Sequence, residues 1–94
     1  MKPRKTREIA RDLERKGFIK SKRDHTFFLL YVENKKTSIF TKISHGKKEY
    51  DSYLLGRMAK NLRISNSQFI DLLDCPLSRE EYVNILVRNK DIII

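Results

Sequence analysis

Residues 24–33 read Asp24-His25-Thr26-Phe27-Phe28-Leu29-Leu30-Tyr31-Val32-Glu33, and the fold hangs on this stretch. A period of two puts His25, Phe27, Leu29 and Tyr31 on one side and Thr26, Phe28, Leu30 and Val32 on the other. With so many aromatic and β-branched residues, the spacing predicts a strand. Both sides are largely apolar, which predicts a central strand covered on two faces. A histidine stands at its start, just after Lys22 and Arg23. That junction is the first place to look for chemistry.

Upstream, Phe18, Ile19 and Lys20 suit a short strand, and Ser21 to Asp24 are polar enough to turn the chain. Downstream, Asn34-Lys35-Lys36 predicts a turn into a third strand from Thr37 to Ile43. Three consecutive strands with short connections make an antiparallel meander. A helix precedes them, with Thr6 as its cap, Ile9, Ala10 and Leu13 as its apolar stripe, and Gly17 closing it in a left-handed conformation. A second helix begins near Asp51 or Ser52, carrying Leu55, Met58, Ala59 and Leu62 at helical spacing. Two helices of this kind cover one common face of the sheet, so the expected fold is α+β: an α-β-β-β-α core with a three-stranded antiparallel sheet.

Beyond that core, helical patterns run from Asn66 or Ser67 through Leu73, and from Ser78 through about Arg88. Pro76 separates them, and Ser78-Arg79-Glu80-Glu81 reads as a capping box. Ile92 to Ile94 form an apolar end suited to a sheet edge or a partner. Residues 1–94 are thus read as a single domain, with a core over 1–64 and a helical extension over 65–94.

Charge is distributed unevenly between these two parts. Residues 1–64 hold eighteen Lys and Arg against seven Asp and Glu, a net +11, whereas residues 65–94 hold three against five, a net −2. Lys and Arg gain affinity by releasing the counterions condensed on phosphates, so the basic part points to a polyanionic partner, most often nucleic acid, with the acidic part facing away from it. Cys75 is the sole cysteine, which excludes an internal disulfide framework and a cysteine-based zinc cluster. The start Met1-Lys2-Pro3-Arg4-Lys5 is too charged for the apolar part of a signal peptide, and no stretch reaches the roughly 18 apolar residues of a membrane span. A soluble cytoplasmic protein is expected. Gly17, Gly46 and Gly56 are too scattered for a nucleotide-binding fingerprint, so no cofactor is expected.

His25 and His45 are the only histidines. At His25, a neutral imidazole beside Lys22 and Arg23 can take a proton from a ribose 2′-hydroxyl while the cations stabilise charge on the phosphate. The bland alternative is a structural strand histidine. His45 lies after the third strand near Lys42, Lys47 and Lys48. It is a second acid or base if the sheet brings it to His25, and a loop residue otherwise. Two histidines this far apart are a weak metal signal, and no metal is expected. Arg7, Arg11 and Arg15 recur every four residues on one helix face, either as phosphate contacts or as an ordinary solvated face. With Lys22, Arg23, Lys47 and Lys48 they complete the candidate phosphate-binding set.

Lys16-Gly17-Phe18, then Arg23-Asp24-His25-Thr26-Phe27, then Ser44-His45-Gly46-Lys47-Lys48 before a helix ending Leu62-Arg63-Ile64-Ser65 resemble the HicA toxin family over about residues 6–65. The resemblance implies a fold like the double-stranded-RNA-binding domain, messenger RNA interferase activity and a HicB-like antitoxin partner. It implies that His25 is the catalytic histidine and that His45 matches a histidine common before the second helix. Where the family usually has Gly-Ser or Gly-Thr before its histidine, this chain has Arg23-Asp24. Where proline commonly follows the second histidine, it has Gly46.

Two functions therefore stand as expectations: a metal-independent endoribonuclease acting through His25, and a non-catalytic RNA-binding module of the same fold. A third is a protein-interaction subunit that uses the apolar end.

Overall fold

The stretch quoted first is the middle strand of a three-stranded antiparallel sheet. The protein is described here from a computed structural model over residues 1–93. Its elements are β1 (Arg4–Lys5), α1 (Thr6–Arg15), β2 (Ile19–Lys22), β3 (Thr26–Val32), β4 (Lys35–Ile43), β5 (Glu49–Tyr50), α2 (Ser52–Asn61), α3 (Asn66–Asp74) and α4 (Arg79–Arg88). The sheet order is β2-β3-β4, as expected of a meander.

The two hairpin turns set the register. Lys22 pairs with Thr26, leaving Arg23, Asp24 and His25 as the turn, in which the Arg23 N–H donates to the His25 carbonyl at 2.9 Å. The strand therefore begins at Thr26 rather than Asp24, and His25 stands just outside it. At the other hairpin, Val32 pairs with Lys35 across Glu33 and Asn34, whose φ values are 54° and 64°. Two successive left-handed residues make the tight turn that matches strand twist, and asparagine tolerates that conformation well. The third strand thus starts at Lys35, two residues before the expected Thr37.

Middle-strand burial is one-sided. Phe28 and Leu30 are fully buried, together with Ile39, Thr41 and Ile43 of β4. All four helices contribute to that same core, through residues such as Leu13, Leu55, Phe69 and Tyr82. Phe27 and Leu29 face the other way, beside Ile19 and Phe40, which are 50% and 47% exposed. The expectation of a strand covered on both faces is corrected: the helices share a single core, and among the described residues no second layer covers the far face.

Helix ends follow their capping chemistry. Asp51 accepts from the Leu54 N–H at the start of α2, and Ser65 with Gln68 and Ser78 with Glu81 form reciprocal capping boxes on α3 and α4. Gly17, at φ 87°, closes α1 as expected. Thr6 is a correction. Lys5 occupies the cap position without a side-chain bond, because the Thr6 hydroxyl donates to the Lys47 carbonyl and its N–H to the Lys48 carbonyl.

That exchange belongs to a second, two-stranded sheet, β1 with β5, which ties the start of α1 to the loop before α2. The extension over 65–94 closes the helical side. The Tyr82 hydroxyl donates to the Leu62 carbonyl at 2.8 Å, and Arg79 donates to the carbonyls of Lys16 and Tyr31. Burial pushes the Tyr82 phenol well above its ordinary value. Ile92 joins the core while Ile93 is exposed; Ile94 of the predicted apolar end lies outside the described residues.

Candidate nucleic-acid interface

The β2-β3 hairpin divides its basic residues between two sides, one from the end of β2, where strand alternation applies, and one from the turn. Lys22, opposite Thr26, goes to the helix side. There it meets Arg7 of α1, Lys20 of β2, and His45 and Lys47 of the loop after β4, around a crevice of about 240 Å³. The His45 Nε2 lies 3.0 Å from the Thr26 hydroxyl. Arg7, Lys47 and Lys48 continue from there into an adjoining groove beside Glu49, held in place by the β1–β5 pairing.

Arg23 goes to the open side. It lines a shallow groove of about 380 Å³ with Ser21, Phe27, Leu29, Lys36 and Phe40. The Phe27 and Phe40 rings lie 6.0 Å apart at a 49° tilt, and the His25 ring meets Phe27 edge-on with centroids 6.5 Å apart. Lys42 pairs across the strands with Phe27, so its exposed side chain shares this face.

His25 and His45 therefore flank β3 from different sides. Thr26, the residue after His25, holds the other imidazole. The His25 Nδ1 is buried and has no hydrogen-bond partner among the described residues. Asp24 does not orient the ring, because its carboxylate accepts from the backbone N–H of His25 at 3.0 Å. A buried polar atom without a partner is uncommon in folded proteins, which sets this ring nitrogen apart from the other buried side-chain polar atoms described.

Of the α1 arginines, only Arg7 reaches the crevice. Arg11 and Arg15 are exposed on either side of Asp12, at 3.6 and 3.9 Å from its carboxylate. Exposed pairs of this kind contribute little, which fits a solvated helix face. Sequence reading missed Phe40, Lys36 and Lys42 on the open face and Lys20 in the crevice. The alternation of β4, with Ser38, Phe40 and Lys42 opposite Ile39, Thr41 and Ile43, was the available signal.

Among the described residues, no group of three His, Cys, Asp or Glu side chains is placed to hold a metal ion. No described helix is long and apolar enough to cross a membrane. Fold and surface together define a basic α+β protein with a cation-rimmed aromatic sheet face and a separate cationic crevice. No protein-family model, curated protein or solved structure matches the chain.

Proposed function

We propose that the protein is a HicA-like endoribonuclease that cleaves messenger RNA in the cytoplasm and is neutralised by a HicB-like antitoxin. The observation that carries this reading is the His25 imidazole. Its ring meets Phe27 of the open face edge-on at 6.5 Å, next in the chain but one to Arg23, and its buried Nδ1 has no hydrogen-bond partner among the described residues.

In this reaction, the neutral imidazole accepts the proton of a ribose 2′-hydroxyl as that oxygen bonds to phosphorus. The 5′-oxygen of the next nucleotide leaves, taking a proton from water. The products end in a 2′,3′-cyclic phosphate and a 5′-hydroxyl. Arg23 and Lys42 stabilise the charge that builds on the phosphate oxygens. Arg7, Lys22, Lys47 and Lys48 hold the backbone of the strand farther along, where phosphate contacts position the RNA without reading its sequence.

A non-catalytic RNA-binding module is the second reading. It is favoured by the separation of the imidazoles: His45 is engaged by Thr26 on the helix side, so no second histidine stands ready to protonate the leaving group. Incubating purified protein with RNA in the presence of a chelator separates the two. Cleavage to cyclic-phosphate ends supports the enzyme; salt-sensitive binding without any cutting supports the module.

A further inference from the structure

Resting on the RNA-directed reading above, we infer that the open face of the β2-β3-β4 sheet is a stacking platform for the bases of single-stranded RNA. Phe27 and Phe40 are its two stacking rings. An exposed aromatic such as Phe40, 47% open on a sheet with its ring 6.0 Å from another, does nothing for a core that lies on the opposite side. Bases present π-faces to such rings irrespective of sequence, which is how sheet surfaces commonly engage unpaired RNA.

Charge complementarity selects the occupant. Arg23 and Lys36 line the groove and Lys42 stands beside Phe27, while no carboxylate occupies a strand position on this face. A plain apolar docking patch for a protein helix does not require that cationic border. An RNA strand does, because its phosphates flank every stacked base.

An unpaired strand suits these rings better than a duplex does. Bases within a duplex are stacked on one another and offer no faces to a sheet, whereas unpaired bases can splay out and stack on aromatic side chains such as Phe27 and Phe40, whose centroids lie 6.0 Å apart. The arrangement also places the ribose-phosphate of a base on Phe27 next to the His25 ring. The platform thus assigns the substrate class of the candidate nuclease site as unpaired RNA.

The test uses a labelled 2′-O-methyl RNA of mixed sequence, which lacks the attacking hydroxyl, so that binding is measured apart from cleavage. It is offered either single-stranded or annealed to its complement. Phe40→Ala is expected to weaken single-strand binding roughly 5- to 150-fold and to leave duplex binding unchanged. Phe40→Tyr restores affinity, and Tyr53→Ala, an exposed aromatic on α2, has no effect. In Phe40→Trp, single-stranded RNA quenches the introduced fluorophore, a signature that a merely structural ring would not give.

Equal losses for both RNA forms, or unchanged affinity, overturn the platform. Unchanged affinity with Phe40-sensitive self-association in sedimentation would assign the face to a second copy of the chain instead. Failure of the platform leaves the nuclease reading standing if wild-type protein still cuts unmodified RNA. Conversely, Phe40-dependent single-strand binding with no cleavage keeps the platform and removes the catalysis.

Discussion

The two faces of β3 are built from nearly the same residue types and serve different ends. On one, Phe28 and Leu30 are wholly buried under the helices; on the other, Phe27 and Leu29 lie beside a half-exposed Phe40. The apolar character of the covered face is explained by folding, since burying a large side chain contributes on the order of 1.5–3 kcal/mol. On the open face Phe27 and Leu29 are only partly buried and Phe40 and Ile19 stay about half exposed, so folding uses that character less completely. On the proposed reading the half-exposed Phe40 is kept for a ligand, and the cations around it favour a polyanionic one.

Exchanging one phenylalanine on each face gives the largest contrast. Phe28→Ala should cost about 3–5 kcal/mol in denaturant unfolding, because it leaves a cavity that the helices cannot fill. Phe40→Ala should stay under about 1 kcal/mol, as surface changes usually do. Comparable losses at both positions would mean that the open face is structural after all.

A smaller effect sharpens the division between the histidines. Thr26→Val keeps the β-branched shape and removes the hydroxyl that meets His45, at a cost of about 0.5–1 kcal/mol. In NMR spectra the ring signals of His45 should move while those of His25 hold still. Equal movement of both would place them in one site.

The smallest effect lies outside both faces and calibrates the stability scale. Arg4 grips Asp74 through two bonds of 2.6 and 2.8 Å, and that hydrogen bonding holds the Asp74 carboxyl below its ordinary value. A carboxyl lowered on folding stabilises above its unfolded value, and that contribution fades as pH falls through the folded one. Asp74→Asn should therefore cost under about 1 kcal/mol at neutral pH, given that the Asp74 side chain is 47% exposed. In acid, denaturation curves of variant and wild type should converge.

Much of this was legible in the residues. Alternation in β3 and β4, the helical spacing of Leu55, Met58, Ala59 and Leu62, and the Ser78–Glu81 box all report local physics; the helix and the box lie where they were read, while β3 starts two residues later and β4 two residues earlier. Which apolar face of β3 the helices would choose was not legible from that strand alone, since Phe27 and Phe28 are chemically identical. Nor was the β1–β5 ribbon: Arg4 and Lys5 have no strand preference of their own and extend because Glu49 and Tyr50 pair with them. Thr6 looked like a cap because its competing acceptor, the Lys47 carbonyl, is 41 residues away.

At the candidate site the shortfall was of another kind. Lys22 and Arg23 were grouped by proximity in sequence and the α1 arginines by their four-residue period, yet Lys22 lies on the helix side and Arg23 on the open side, and of the arginines Arg7 alone lines the crevice. His25, in the turn, meets Phe27 on the open side, while Thr26 meets His45 on the helix side. Proximity along the chain overstated how much of the basic set acts together.

The most direct test compares RNA cleavage by His25→Ala and His45→Ala, with binding of uncleavable RNA measured in parallel. The account predicts that His25→Ala slows cutting at least about 100-fold with binding nearly intact, whereas His45→Ala still cuts. Loss of cleavage in His45→Ala with His25→Ala fully active would contradict it and move the chemistry to the helix side of the sheet.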